Sequence, residues 1–370
     1  MKQIFRFLYA LFSLFILAAL LTGILSPYID PAYFWPAALM GLAFPLIWLT
    51  NLGNLFLSVF LSRKIFIITA IYLIAGIPFM LRYFSWGSRS DCKDNAVNLK
   101  VISFNVKYFD GFEGKDKTEA QLYAHNFLNK QKADIICFQE YPMKGKRHAP
   151  FFDHVKDSLH LNFTHFSNYD PEAKSTSAIL LTASKYKIFN YGIHYSPDNE
   201  IFAIYSDILV KKDTLRVFNI HLQSVKLIQE KEILRPGKET LSGDSGLKHL
   251  ISSFNKLKRA FIERSYQAGI LSDAITSSPH KVILAGDFND TPGSYAYHKI
   301  GSSLRDAARA KGRGFQRTYN ESYYPLRIDH IMADRSLSIC SYKRFDIRMS
   351  DHYPIMAVVG LGKKKEVGSR

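Results

Sequence analysis

Six short segments of this 370-residue chain set a polar side chain at the end of an apolar run, where it can bind a cation or move a proton. They are Ile-Ser-Phe-Asn105-Val, Ile-Cys-Phe-Gln-Glu140, Phe-Asn-Ile-His221-Leu, Leu-Ala-Gly-Asp287-Phe-Asn289, Arg-Ile-Asp329-His-Ile and Ser-Asp351-His352-Tyr-Pro. A strand that runs apolar and then stops on Asn, Glu, His or Asp delivers that group to the rim of a sheet, where a cleft can form. A lone acidic residue at a strand end is more often a cap or a surface charge than a ligand. Here eight such groups recur in order, and they offer oxygen and imidazole donors with no thiolate among them, a set suited to a hard cation and to proton transfer.

The elements that must position them are short β-branched runs: Asn98–Val106, Asp134–Gln139, Ser177–Leu181, Ile201–Val210, Thr214–His221, Lys281–Asp287, Arg327–Ala333 and Pro354–Val359. They read as buried strands. Helical patterns lie between some of them, over Ala120–Gln131 and over Gly246–Ile275, where Leu247, Leu250, Ile251, Phe254, Leu257, Phe261 and Ile262 recur at helical spacing. The reading is mixed α/β, with no repeat at a solenoid period.

In that order, with Gly-Asp-Phe-Asn and the terminal Ser-Asp-His as its most specific pieces, the set resembles the endonuclease/exonuclease/phosphatase superfamily, over about 97–360. The resemblance implies a four-layer sandwich, two packed β-sheets flanked by helices, with a metal-dependent phosphodiesterase or phosphatase site at one end. Hydrolysis of a phosphate ester at neutral pH needs charge neutralisation at the phosphoryl oxygens, an activated water and transition-state donors. The donor set suits Mg²⁺ or Mn²⁺ rather than zinc.

Carried over by that resemblance, Glu140 is the principal metal ligand with Asn105 beside it, and Asp351 is an acidic residue near the metal. Asp287 orients or deprotonates the attacking water, Asn289 holds a phosphoryl oxygen, and His352 is the catalytic histidine, oriented by Asp329. His221, in Asn219-Ile-His-Leu, matches the deoxyribonuclease-like, sphingomyelinase-like and inositol phosphatase-like branches, whereas the abasic-site repair branch has a tyrosine in this region. Arg264 and Gln267 are similar to a helix that follows this strand in the family, with surface or packing roles as the alternative. His330 stands where an aromatic residue is common and reads as an ordinary strand position, not a third catalytic histidine. Ser224–Glu263 is longer than a compact member needs, and Lys226–Gly246 reads as a polar loop.

Composition divides the chain. Of 48 Lys+Arg and 32 Asp+Glu, residues 1–84 hold only Lys2, Arg6, Arg63, Lys64, Arg82 and Asp30, so 85–370 carries a net +12. Phe7–Leu25 is nineteen residues without a charge, about 28 Å as a helix against a hydrocarbon core of about 30 Å. Pro31–Ser62 holds a second span, broken near Pro36 or Pro45, and Ile65–Leu81 a third. A cleaved signal peptide is the alternative for the first. The expected organisation is a membrane anchor over 1–84, a linker over 85–96, the catalytic domain over 97–362 and a basic tail over 363–370.

Lys2, Arg6, Arg63 and Lys64 fall on one side of three spans, so the positive-inside rule puts the catalytic domain outside the cytoplasm, although Arg82, Arg89 and Lys93 count the other way. Cys92, Cys137 and Cys340 are too few and scattered for a disulfide framework, and Cys137 reads as a buried hydrophobe. The expected function is a membrane-anchored, multi-pass, Mg²⁺-dependent phosphodiesterase whose partners are the bilayer and a phosphodiester substrate, with no obligatory protein partner. An endonuclease of low sequence specificity leads; a lipid phosphodiesterase or inositol phosphatase-like enzyme is the alternative, and an inactive binding module the last. The basic balance suits nucleic acid and anionic headgroups alike.

Overall fold

The structure is a computed structural model that describes residues 2–87, 92, 97–110, 117–144, 147–148, 150–168, 177–225, 244–322 and 324–362. The polar loop expected over Lys226–Gly246 falls almost wholly outside the described residues, as do the basic tail and most of the linker. The elements are α1 (Lys2–Leu25), α2 (Pro31–Leu42), α3 (Phe44–Leu61), α4 (Arg63–Met80), β1 (Ser85–Trp86), β2 (Val97–Asn105), α5 (Lys117–Gln131), β3 (Ile135–Lys144), β4 (Arg147–His148), α6 (Pro150–Leu159), β5 (Phe163–Phe166) and β6 (Ser177–Ser184). They continue as β7 (Ile188–Tyr195), β8 (Ile201–Val210), β9 (Asp213–His221), α7 (Asp244–Thr276), β10 (Lys281–Asp287), α8 (Tyr295–Ile300), β11 (Leu304–Asp306), α9 (Ala307–Lys311), β12 (Arg313–Gly314), β13 (Asp329–Asp334), β14 (Ser338–Arg344) and β15 (Ile355–Leu361). The chain forms two compact units, one of 1–83, 223–269 and 292–299, the other of 84–222, 270–291 and 300–370.

In the first unit, three helices are long and apolar enough to cross a membrane: Gln3–Tyr28, Phe44–Leu61 and Arg63–Met80. The charge-free run 31–62 yields two helices that divide at Ala43, with Pro45 in the first turn of α3, where its missing N–H costs nothing, while Phe34 leaves helical geometry within α2 beside Pro36. Asp30 caps α2 through the Ala32 amide (2.9 Å) and Ser62 caps α4, each worth about 1 kcal/mol. The packing is inside-out relative to a soluble bundle. Phe5, Phe7, Leu14, Phe15, Phe56 and Phe60 are exposed, while Ser13, Asn51, Asn54, Ser58 and Thr69 are buried. Ser13 Oγ donates to Asn54 Oδ1 (3.1 Å), Asn54 Nδ2 to Thr69 Oγ1 (3.3 Å) and Asn51 Nδ2 to the Ile16 carbonyl (3.0 Å). These bonds satisfy polar groups on helices that otherwise present hydrocarbon, as in membrane bundles.

The segment Pro292–Lys299 belongs to the same unit. Ser26 Oγ donates to the Gly293 carbonyl (3.0 Å), Tyr83 Oη donates to the Gly41 carbonyl (2.6 Å), and Tyr28 packs edge-on against His298. A Cβ on Gly293 would collide with the Tyr83 hydroxyl, so only glycine fits there.

The second unit holds two mixed sheets flanked by helices, the expected sandwich. One sheet runs β11-β13-β10-β9-β8-β7; the other runs β14-β15-β2-β3-β6-β5, with β4 on β3. The pairs β9/β10 and β2/β3 are parallel and the rest antiparallel. Period-2 alternation sorts the faces. Leu99, Val101, Ile135 and Cys137 pack with Val217, Ile283, Ala285 and Ile331 between the sheets, while Ile102, Phe104, Ile136 and Phe138 pack under Phe127 and Leu128 of α5 and Val155 of α6. Burial pushes the Cys137 thiol up to about 12, which fits an inert core residue.

Two buried amides cross the inter-sheet core. Gln139 Nε2 donates to Asn219 Oδ1 (2.7 Å), and Asn219 Nδ2 donates to the carbonyls of Phe138 (3.1 Å) and Leu181 (3.0 Å). His165 of β5 meets Ser206 of β8 in the same way, at 3.2 Å. One disulfide, Cys92–Cys340, joins the linker to β14 across a sequence separation of 248. The sequence reading, three cysteines too few and scattered for a framework, did not foresee this single bond: residues so far apart give no local spacing signal, and the β14/β15/β2 ladder brings them together.

Candidate active site

Register brings the catalytic candidates together. On neighbouring strands Asp287 pairs with His221 on one side and with Asp329 on the other, so three strand ends present their side chains on one rung. Gly286 before Asp287 has φ +153, and a Cβ there would strike the Ile220 carbonyl. The glycine of Leu-Ala-Gly-Asp is thus required for the close approach of β10 to β9. From the other sheet, Asn105 ends β2 opposite Gln139 of β3, and the next residue, Glu140, sits in a bulge between Phe138 and Tyr141 with φ +50. The bulge turns the Glu140 carboxylate into the site, and the left-handed backbone it imposes on a non-glycine residue is strain held at a functional position. Asn289, also at φ +50, donates its backbone N–H to Asp287 Oδ1 (2.7 Å).

All eight candidate residues converge. Asn105 Nδ2 donates to Asp287 Oδ2 (3.1 Å) and Glu140 Oε1 (3.3 Å). His221 Nε2 lies 3.5 Å from Glu140 Oε1 and 3.7 Å from Asp287 Oδ2, and His352 Nε2 lies 3.7 Å from the same Asp287 oxygen. The two imidazoles therefore flank one carboxylate. His352 Nδ1 bonds Asp329 Oδ2 at 2.9 Å, which fixes the tautomer and leaves Nε2 to face the site. Asp329 is itself held by a bond from its backbone N–H to Thr318 Oγ1 (3.0 Å). Asn289 Nδ2 donates to the Leu222 carbonyl (2.9 Å), so its amide is engaged with backbone in this state. Asp351 pairs with Lys107 Nζ at 2.7 Å and lies 4.0 Å from His352 Nε2.

Carboxylate crowding dominates the electrostatics. Burial, and then the Asp329 carboxylate, push Asp287 up to about 6. Burial opposes charge on His352, but Asp329 and Asp287 outweigh it and raise the imidazole to about 10. Four carboxylates, Glu140, Asp287, Asp329 and Asp351, thus face two imidazoles and one ammonium, and a divalent cation would relieve the excess negative charge. Donor atoms of Asp287, Asp329 and His352 all lie within 4.8 Å of one another. Two of these are carboxylate oxygens and one is an imidazole nitrogen, and none of the three residues belongs to the expected ligand set of Asn105, Glu140 and Asp351.

Further residues stand around these eight, and of them Lys107 was not singled out from the sequence. Lys107, two residues past Asn105, opens a run of three left-handed residues, Lys107, Tyr108 and Phe109; its only sequence signal is that proximity. Tyr319, from the aromatic and basic stretch 313–327, packs its ring edge-on against His352 at 5.2 Å and donates to Glu321 (3.2 Å). Arg264 and Gln267 are buried: Gln267 Oε1 accepts from the Gln223 N–H (2.9 Å) and Arg264 Nη1 donates to the Gln223 carbonyl (2.8 Å), two residues past His221. They grip backbone and are not surface positions. His330 is buried against Asp306 (3.1 Å), as its reading as a strand residue implies.

No curated protein matches the chain. It is similar to solved structures of endonuclease/exonuclease/phosphatase family proteins from Leptotrichia buccalis (17% identity, covering 71% of this chain and 100% of that one, TM-score 0.49) and Bacteroides thetaiotaomicron (15%, 74% and 99%, TM-score 0.47). It is also similar to the human Nocturnin catalytic domain (16%, 72% and 95%, TM-score 0.47). Residues 3–83 match a domain family of unknown function. Residues 102–352 match the profile of the Endonuclease/Exonuclease/phosphatase family. That match spans every strand-end residue from Asn105 to His352, and with it the chain belongs to the endonuclease/exonuclease/phosphatase family of phosphoric ester hydrolases.

Proposed function

We propose that this protein is a divalent-metal-dependent phosphodiesterase carried on a three-span membrane anchor, with its catalytic unit on the oxidising, non-cytoplasmic side. The observation that carries the chemistry is the placement of His221 and His352 on either side of Asp287, with Asp329 behind His352. In this reading Asp329 holds the His352 imidazole with Nε2 forward, charged, to meet a phosphoryl oxygen or the leaving oxygen. Asp287 takes a proton from the attacking water, its raised pKa suiting a base near neutral pH. His221 offers a second imidazole across the site. Glu140, with Asp287 and the Asn105 amide, would hold Mg²⁺ or Mn²⁺, which when bound supplies charge neutralisation at the phosphoryl group.

Location rests on three supports: the apolar outer faces of α1, α3 and α4, the charges Lys2, Arg6, Arg63 and Lys64 on one side of the spans, and the Cys92–Cys340 disulfide, a bond typical of oxidising compartments. Nucleic acid and lipid headgroups are the two substrate classes, the first favoured by the net +12 of residues 85–370 and the second by the anchor.

The test uses the full chain in detergent micelles with bis-p-nitrophenyl phosphate, plasmid DNA, RNA, abasic duplex and vesicles of sphingomyelin or phosphatidylinositol, with Mg²⁺ or EDTA. Turnover that needs Mg²⁺ and falls by ~10³-fold or more in Glu140→Gln is expected. Equal rates in EDTA, or a folded Glu140→Gln protein at the wild-type rate, would remove the metal reading. Strong preference for abasic duplex would assign the repair chemistry instead.

A further inference from the structure

A cleft of about 600 Å³ opens beside Glu140 and His221. One wall is the β5–β6 hairpin, through Phe166 and Ile179; the other is the β7–β8 hairpin, through Tyr195 and Glu200. Since β5 and β6 belong to one sheet and β7 and β8 to the other, the cleft is the open seam between the edges of the two sheets. Its inner end is the catalytic site.

The charge of this cleft is opposite to that of the chain. Residues 85–370 are strongly basic, yet among the described residues that line the cleft none is Lys or Arg, and two, Glu140 and Glu200, are acidic. The remainder are amides, hydroxyls, aromatic rings and aliphatic side chains. Glu200 and Tyr195 are set by a built turn and do not hang from a loose loop. The Ser196 N–H donates to the Glu200 carbonyl (2.8 Å), the Asn199 N–H donates to the Ser196 carbonyl (2.9 Å), and the Glu200 N–H donates to Ser196 Oγ (3.2 Å), with Asn199 in the left-handed region. The two side chains thus leave a fixed hairpin tip at the mouth of the cleft.

A nucleic acid strand bound here would bring a further phosphate on every nucleotide, next to a carboxylate and, among the described lining residues, with no Lys or Arg to receive it. An alcohol without a second anion has no such cost. It can stack on Tyr195, bury apolar surface on Ile179 and use the amides and hydroxyls for its polar atoms. We propose that this cleft selects the organic half of the phosphoester, and that Glu200 and Tyr195 are the specificity-determining residues: Glu200 rejects a second anion, and Tyr195 is the platform for the admitted group. This rests on the phosphodiesterase reading above and narrows it away from polynucleotides.

The discriminating pair is thymidine 5′-p-nitrophenyl phosphate with and without a 3′-phosphate, which differ only in the extra anion. With the full chain in micelles and Mg²⁺, kcat/KM is expected to favour the form without the 3′-phosphate by ~tenfold, the scale of one partly screened charge. Glu200→Lys should bring the ratio to about one or invert it, and Tyr195→Ala should raise KM for both forms with kcat less affected. Equal treatment of the pair by the wild type, or a ratio that survives Glu200→Lys, would overturn the proposal. Equilibrium binding of thymidine 5′-phosphate against thymidine 3′,5′-bisphosphate, on the same two proteins, gives the same comparison without turnover. Absence of hydrolysis of any phosphoester, bis-p-nitrophenyl phosphate included, would therefore sink the phosphodiesterase reading alone, while equal binding would sink the cleft.

Discussion

The Gln139–Asn219 bridge ties together the strands that carry Glu140 and His221, and its energetics follow from its bonds. Asn219 is fully buried and makes three hydrogen bonds, one from Gln139 and two to strand carbonyls. Asn219→Leu keeps the γ-branched shape and removes all three, which at ~1 kcal/mol each costs ~3 kcal/mol. Gln139→Leu removes the bond to Asn219, the donation to the Cys137 carbonyl (3.2 Å) and the acceptor for Ser103 Oγ (3.4 Å), again for ~3 kcal/mol. The double Leu variant loses the shared bond only once and leaves neither amide stranded, so it should cost ~5 kcal/mol rather than the ~6 of independent sites, a coupling of ~1 kcal/mol. In a unit of this size ~3 kcal/mol lowers Tm by about 6–10 °C. Calorimetry of the four full-length proteins in one detergent reads the cycle. A double variant that melts at the sum of the single losses would refute the argument, since it would mean that the two amides do not depend on each other.

His352→Ala should lower kcat by ~10³-fold, Asp329→Asn should be severe, and the double variant should fall no further than His352→Ala, because the pair acts as one unit; multiplicative losses in steady-state assays would separate them. Burial lowers His165 to about 4, so its neutral form adds stability that is complete above an unfolded pKa near 6.5 and is lost as pH falls through 4, for ~3 kcal/mol in all. Melts from pH 7 to 4 should show that extra loss in wild type and not in His165→Phe; parallel curves would cancel the assignment. Denatured, unreduced protein should accept one maleimide-polymer adduct, on Cys137, and three after reduction. Three before reduction would mean that Cys92 and Cys340 are unpaired and would withdraw the support they give to location.

Strand ends were legible where a candidate residue closes a run of buried β-branched or aromatic side chains, as in Leu-Ala-Gly-Asp287 and Phe-Asn-Ile-His221, whereas Asp329 opens β13 and Asp351 and His352 precede β15. The edge strands were not. β7 is half exposed along most of its length, so neither an apolar run nor a clean alternation marks it, and its tip residues Tyr195 and Glu200 carried no chemical motif. The bulge that aims Glu140 depends on pairing with β6, which local sequence does not contain. Resemblance named Asn219 only as part of a motif, whereas its contacts are those of an inter-sheet tie. Charge-free length located the three helices that are long and apolar enough to cross a membrane, but a run that holds two helices cannot be told from one that holds a single kinked helix until Ala43 is seen to end the first. The disulfide partner of Cys92 lay too far along the chain for any spacing rule.

The loop that leaves Asp287 and Asn289 reaches Gly293 within four residues, and there it has joined the compact unit of the apolar helices, under Tyr83 and against Ser26. The boundary that composition draws at residue 84 is thus not the structural one, since the unit of the apolar helices also takes in Pro292–Lys299, from within the stretch that matches the family. For the protein engineer, a cut at the polar segment after Trp86 leaves Pro292–Lys299 without the contacts to Ser26, Tyr28 and Tyr83 that it makes within its own unit. For inheritance, exchange of the first 83 residues for an unrelated set of spans carries the same penalty, so the helical unit and the hydrolase are expected to travel together as one gene segment.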